Sequence, residues 1–162
     1  LDTLPWIQGW GHVNAPKPVA EKLKLAEPGG YLFPHVRELF RQTLARAGLP
    51  DVHAVDGLEV HDCFNITEYM ILDHAGLQVP GEVWQAIENG STTPGGKLPV
   101  NASGGLIGLG HPVGATGVRM ALDCYKQVRG IAGDNQIDGA RRMMTFNLGG
   151  STTTCASLII GR

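Results

Sequence analysis

Two apolar runs near the C-terminus, Arg142-Met143-Met144-Thr145-Phe146-Asn147 and Thr152-Thr153-Thr154-Cys155-Ala156-Ser157-Leu158-Ile159-Ile160, are joined only by Leu148-Gly149-Gly150-Ser151. So short a glycine-rich link connects two strands as an antiparallel pair, because a parallel pair needs a long crossover. A sheet is therefore committed, and the rest of the chain must supply its other strands and cover its faces.

Upstream, Pro5-Trp6-Ile7-Gln8-Gly9-Trp10-Gly11 reads as a short strand ending in glycine. Residues 14–34 hold Pro16, Pro18, Pro28, Gly29, Gly30 and Pro34, an irregular excursion with one helical turn near 19–25. Val36, Leu39, Phe40, Thr43, Leu44 and Ala47 recur at the spacing of one helical face, and Gly48 and Pro50 end that helix. Residues 54–60 read as a strand entering His61-Asp62-Cys63-Phe64. Asn65-Ile66-Thr67-Glu68 has the form of a capping box, so a helix is expected from Asn65 to about Ala75, closed by Gly76. A short helix is expected near 82–88, then a long loop over 89–110. Val118, Ala121, Leu122, Tyr125 and Val128 define the expected buried face of a further helix ending at Gly130. The order strand, helix, strand, helices, strand, strand indicates an α/β fold with helices against a mixed sheet.

The 162 residues make one domain, large enough to bury a core. With 13 Lys and Arg against 15 Asp and Glu, no basic excess marks a nucleic-acid or anionic-membrane partner. Cys63, Cys124 and Cys155 show no Cys-x-x-Cys spacing, so neither a zinc site nor a disulfide framework is expected. The opening Leu1-Asp2-Thr3-Leu4-Pro5 lacks the basic start and apolar core of a signal peptide, and no membrane span is expected. The absence of an initiator Met reads as a processed piece or a fragment.

Three segments put reactive or backbone-exposing residues at the ends of regular elements: His61-Asp62-Cys63-Phe64, Gly110-His111-Pro112-Val113-Gly114-Ala115-Thr116-Gly117, and Asn147 to Ser151. In the second, Pro112 stiffens a glycine-lined turn that carries one imidazole, a candidate general base or anion-stabilising donor. In α/β sheets ligands collect at strand ends. Converging there, the three segments offer two imidazoles, one thiol and several backbone N–H groups, a set suited to acyl transfer.

Asn101-Ala102-Ser103-Gly104-Gly105 and the Gly110-His111-Pro112 segment together resemble the asparagine–glycine-glycine and glycine-histidine-proline segments of the thiolase family. His61-Asp62-Cys63-Phe64 resembles the variant of the sterol-carrier-protein-type thiolases, which replaces the Asn-Glu-Ala-Phe of the classical enzymes. Asn147-Leu148-Gly149-Gly150 stands where classical thiolases carry Cys-x-Gly. The resemblance runs from about residue 6 to residue 162 and is to the C-terminal half of a thiolase. It implies a mixed β-sheet packed between layers of helices, and an acetyl-CoA C-acyltransferase-like activity of lipid metabolism such as fatty acid β-oxidation. That activity would cleave a 3-oxoacyl-CoA with coenzyme A, or run the reverse Claisen condensation, through an acyl-cysteine.

The resemblance also implies roles. His111 would keep the nucleophilic cysteine as thiolate, and Cys63 would carry the proton that the Cys-x-Gly cysteine carries in classical enzymes. His61 would donate, with His111, to the thioester oxygen. Gly149, with Asn101, Gly104 and Gly105, would shape the oxyanion and substrate contacts. The nucleophilic cysteine and much of the coenzyme A site would belong to an N-terminal half outside these residues, so the chain would be either a fragment of a longer polypeptide or one piece of a divided enzyme. Coenzyme A would be a substrate, with no metal or other cofactor, and a homo-oligomer is expected. The ending Ile159-Ile160-Gly161-Arg162 lacks a peroxisomal Ser-Lys-Leu signal, which reads as cytoplasmic, with a peroxisomal setting open for a eukaryotic source. Two competing readings are a thiolase-fold aldolase acting on a CoA-linked sterol side chain and a non-catalytic acyl-CoA or lipid-binding protein.

Overall fold

A computed structural model describes residues 4–162; residues 1–3 of the leader reading lie outside the described residues. Four strands form one mixed sheet in the order β1-β4-β3-β2: β1 (Trp6–Asn14), β2 (Gly57–Val60), β3 (Arg142–Gly149) and β4 (Thr154–Gly161). The expected C-terminal hairpin is present, with Asn147 opposite Ala156 and Gly149 opposite Thr154. β1 runs antiparallel along the other side of β4, and β2 lies parallel to β3. β1 is longer than its sequence pattern implied. Its last residues take strand form because β4 offers them partners, up to Asn14 opposite Thr154. β2 is shorter than expected, because Val52–Ala54 forms a 3₁₀ turn capped by the Asp51 side chain.

The helices are α1 (Val19–Leu23), α2 (Pro34–Arg46), α3 (Asn65–Ala75), α4 (Trp84–Glu88), α5 (Gly105–Leu109) and α6 (Thr116–Arg129). Successive β3 side chains go to opposite faces. Met144 and Phe146 enter the core beneath α2 and α3 with Leu39, Phe40, Leu58, Val60 and Leu72. Phe40 and Phe146 stack there with ring centroids 5.1 Å apart. Met143 enters the second cluster, under α6, with Cys124, Val128, Ala140 and Ile160. The sheet is thus covered by helices on both faces, and each fully buried large apolar side chain contributes roughly 1.5–3 kcal/mol.

Three expectations are corrected. The buried residues of α6 are Thr116, Met120, Asp123, Cys124, Gln127 and Val128, whereas Val118 and Leu122 are 75% and 48% exposed. The helix is apolar on two sides, and periodicity alone does not tell which side meets the sheet. The capping box at Asn65 does not form. Phe64 occupies the cap position without a side-chain bond, and Glu68 instead accepts from Asn101 Nδ2 at 3.1 Å. Finally, the 89–110 loop is not free of structure. Val100 bridges to Leu58 at the outer side of β2, and α5 forms at Gly105.

Candidate functional site

β2 ends at Val60, opposite Phe146 of the parallel β3, which runs on to Gly149. The next residues, His61 and Asn147, therefore emerge side by side. His61 Nδ1 lies 2.5 Å from Asn147 Oδ1, which also accepts the Leu148 N–H at 3.0 Å. A carbonyl oxygen only accepts, so His61 carries its proton on Nδ1 and keeps a lone pair on Nε2 when neutral. Burial pushes the His61 imidazole below its ordinary value near 6.5, against the pull of the Asn147 bond, and the nearby His111 pushes the same way.

His111 stands edge-on to His61, with ring centroids 4.8 Å apart and an interplanar angle of 86°. Its Nδ1 is 2.7 Å from Thr116 Oγ1. The Thr116 hydroxyl donates its single proton to Pro112 O at 3.2 Å, so it accepts from His111. His111 is thus also an Nδ1–H tautomer with Nε2 open. Thr116, in the first turn of α6, was missed by sequence reasoning. Its signal was its position five residues after the histidine, across the Pro112 turn. All three segments expected to meet contribute here, through His61, His111 and Asn147.

Cys63 is placed differently. Its thiol lies 3.8 Å from Thr67 Oγ1. It sits on the wall of a mostly apolar cavity of about 270 Å³, with Val36, Met70, Ile71, Leu148 and Thr152 among the lining residues. Among the described residues no hydrogen bond joins it to either imidazole. Gly149 ends β3, exposed, at the mouth of the hairpin. Cys124 and Cys155 are core residues, and burial pushes the Cys155 thiol up to about 12.

The Asn101 to Gly105 loop works from below. Asn101 Oδ1 accepts the Val60 N–H at 2.7 Å while Nδ2 donates to Glu68, which pins the loop to the end of β2 and to α3. Asp62, buried and set between the candidate residues His61 and Cys63 in sequence, accepts the Leu106 N–H at 2.6 Å at the start of α5. Gly105, at φ +61°, makes room for that carboxylate. Gly104, at φ +104°, turns the chain into α5. Ser103 is held in turn by the buried Glu59, through its N–H at 3.1 Å and its hydroxyl at 2.7 Å. Asp62 and Glu59 carried no assigned role from sequence, because their partners are backbone and loop atoms more than 40 residues away. Among the described residues no group of three or more His, Cys, Asp and Glu is placed to hold a metal ion.

Three buried or half-buried histidines, His35, His61 and His74, are held below their ordinary value, in each case chiefly by burial. His74 shows what protonation breaks: its Nδ1–H donates to Met70 O and its Nε2 accepts the Phe33 N–H at 2.9 Å. Such groups bind protons more tightly when unfolded. Their stabilisation is whole above about pH 6.5 and is lost as pH falls from there through the lowered folded values. Glu59 and Glu68, raised chiefly by burial, act in the opposite sense: their contribution is whole below about pH 4.5 and is lost as pH rises through the raised folded values. The urea midpoint is expected to fall between pH 7.5 and 5.5. A flat or rising midpoint over that interval contradicts the assignment.

The thiolase C-terminal domain-like family matches residues 23–162. The chain is 44% identical over 108 residues to an acetyl-CoA acetyltransferase of Methanothermobacter thermautotrophicus, covering 67% of the chain and 28% of that protein. It is 43% identical over 104 residues to sterol carrier protein 2 of Gallus gallus, covering 64% of the chain and 19% of that protein. Its fold is shared by a solved Ltp2-ChsH2(DUF35) aldolase, with a TM-score of 0.81 at 23% identity, over 97% of the chain and 39% of that structure's chain. In all three the shared part is well under half of the longer protein. No helix among the described residues is long and apolar enough to cross a membrane.

Proposed function

Because the chain belongs to the thiolase C-terminal domain-like family, we propose that it is the proton-handling half of a thiolase. The reaction is thiolytic cleavage of a 3-oxoacyl-CoA by coenzyme A, or the reverse condensation, through an acyl-cysteine on an N-terminal half. The observation that carries this reading is the His61–His111 pair, two edge-on imidazoles each with Nδ1–H engaged within the protein and Nε2 open.

His111 Nε2 takes the proton of the nucleophilic thiol, and the thiolate attacks the 3-oxo carbon. The bond between C2 and C3 then breaks, leaving an acyl-cysteine and the enolate of acetyl-CoA. His111, now an imidazolium, donates its Nε2–H to the enolate oxygen. Cys63 delivers a proton to C2 and becomes thiolate. It recovers a proton from coenzyme A, whose thiolate cleaves the acyl-cysteine, and the proton on His111 returns to the nucleophile. His61 donates to the oxygen only when it gains a second proton, since its Nδ1–H is committed to Asn147. Gly149 offers a backbone N–H to the tetrahedral oxygen.

Two further observations support the reading. The apolar cavity beside Cys63 suits an acyl chain. Ile107, Leu109, Val113 and Val118 flank His111 in sequence and are exposed, which suits a surface that meets the N-terminal half.

In the intact protein, Cys63→Ser is expected to lower CoA-dependent thiolysis about 10²-fold or more, on the scale of a lost acid–base catalyst. Turnover near the wild-type value sinks the role of Cys63. Mass spectrometry with a 3-oxoacyl-CoA and no coenzyme A is expected to show an acylated cysteine. Cleavage of a CoA-linked side chain without acylation indicates the aldolase reading, and binding without cleavage indicates a lipid-binding module.

A further inference from the structure

Lys22, on α1, is fully buried. Among the described residues no carboxylate pairs with its ammonium, which is surrounded by neutral oxygens. It reaches Ser151 O at 2.5 Å, Thr153 Oγ1 at 3.0 Å, Lys17 O at 3.3 Å and Gly150 O at 3.4 Å. Three of these four oxygens belong to the hairpin that follows Gly149. A buried charge with no counter-ion persists only where hydrogen bonds replace its water.

The hairpin is in an uncommon conformation. Gly150, Ser151 and Thr152 are successive left-handed residues, at φ +58°, +53° and +65°. Side chains disfavour this region, and a β-branched residue such as Thr152 most of all. A run of three in one helical sense turns their carbonyls to the same end of the turn. Lys22 takes two of those carbonyls, and His35 Nε2 takes the third, Thr152 O, at 3.0 Å. The Thr153 hydroxyl donates to Gly150 O at 2.5 Å while accepting from Lys22, closing the network. α1 and this hairpin also share a wall of the cavity that holds Cys63, through Val19, Ser151 and Thr152.

We infer that Lys22 is a positioning residue for the reaction: its buried ammonium gathers the carbonyl oxygens of the hairpin, holds the left-handed run in place, and so sets where the Gly149 N–H stands. The link to turnover rests on the thiolase reading, in which that N–H serves the tetrahedral oxygen. The clasp itself does not rest on it.

The test is Lys22→Met, which keeps the length and removes the charge, in the intact protein. Amide hydrogen exchange of Thr153, whose N–H donates to Gly150 O at 3.1 Å, is expected to quicken at least tenfold, with peptides of α2 and of residues 142–147 of β3 unchanged. The kcat for thiolysis is expected to fall about tenfold or more, with KM for coenzyme A within twofold. Unchanged exchange in the hairpin overturns the clasp. A loosened hairpin with wild-type kcat overturns its link to turnover. A third measurement needs no variant: by NMR the wild-type Lys22 ammonium protons should exchange slowly with water and show contacts to Ser151 and Thr153, and fast exchange overturns the clasp. The exchange and NMR measurements decide the clasp even if the wild-type protein proves to have no thiolase activity.

Discussion

His111→Ala, in the protein assembled with its nucleophilic half, is expected to lower kcat/KM for thiolysis by about 10³-fold, or roughly 4 kcal/mol of transition-state stabilisation. Two functions disappear together. The nucleophilic thiol loses the base that accepts its proton, and the enolate oxygen loses the donor that base becomes. Formation of the acyl-cysteine from a 3-oxoacyl-CoA should fail in the same variant. Because His111 is exposed at the surface of this half and, among the described residues, its ring is held by one hydrogen bond to Thr116 and the edge contact with His61, the change should leave the fold intact. Thr116→Val gives the complementary result. It removes the acceptor that holds the His111 proton on Nδ1, so activity should drop while the imidazole remains. Acylation at the wild-type rate in His111→Ala would remove the histidine from the mechanism.

Gly105→Ala is expected to destabilise the fold by about 3 kcal/mol, the sum of roughly 1–2 for a side chain in the left-handed region and 1–3 for overpacking. The position is at φ +61°, and an added Cβ would stand 2.7 Å from Asp62 Cγ. For a domain of this size that corresponds to a loss of roughly 6–12 °C in Tm. Gly48→Ala is the control. It is also left-handed, at φ +68°, but nothing lies within 4 Å of its added Cβ, so only the backbone part is expected. The steric part should vanish in an Asp62→Ala background, which a double-mutant cycle reads as a coupling of about 1–2 kcal/mol. Strict additivity of the two changes contradicts the packing argument. Displacing Asp62 also moves the segment that carries His61 and Cys63, so turnover should fall with stability.

Much of this molecule is legible locally. The C-terminal hairpin, α2 with its buried face, the Gly76 stop of α3 and the α/β order all follow from short-range signals: turn length, apolar period and glycine at a left-handed cap. The candidate site is legible as a set of segments, because glycines and a proline next to His111 mark a presented turn. Its failures are equally specific. The Asn65 cap lost to a tertiary partner when Asn101 claimed Glu68. The buried face of α6 was read one stripe away, since Val118 and Leu122 fit the same period as the residues that meet the sheet.

Residue type and spacing alone established that two imidazoles and a thiol sit at element ends around a mixed sheet, since local propensity and period are written within a few residues of each position. They did not establish which nitrogen of each imidazole is open, that Cys63 lines an apolar cavity apart from the pair, or that Asp62 and Lys22 brace the loops around them. Those features depend on contacts such as Asp62 with Leu106 and Lys22 with Ser151, between residues 44 and 129 positions apart. Such distances are closed only when the parallel register of β2 and β3, and the packing of α1 against the hairpin, bring the segments together.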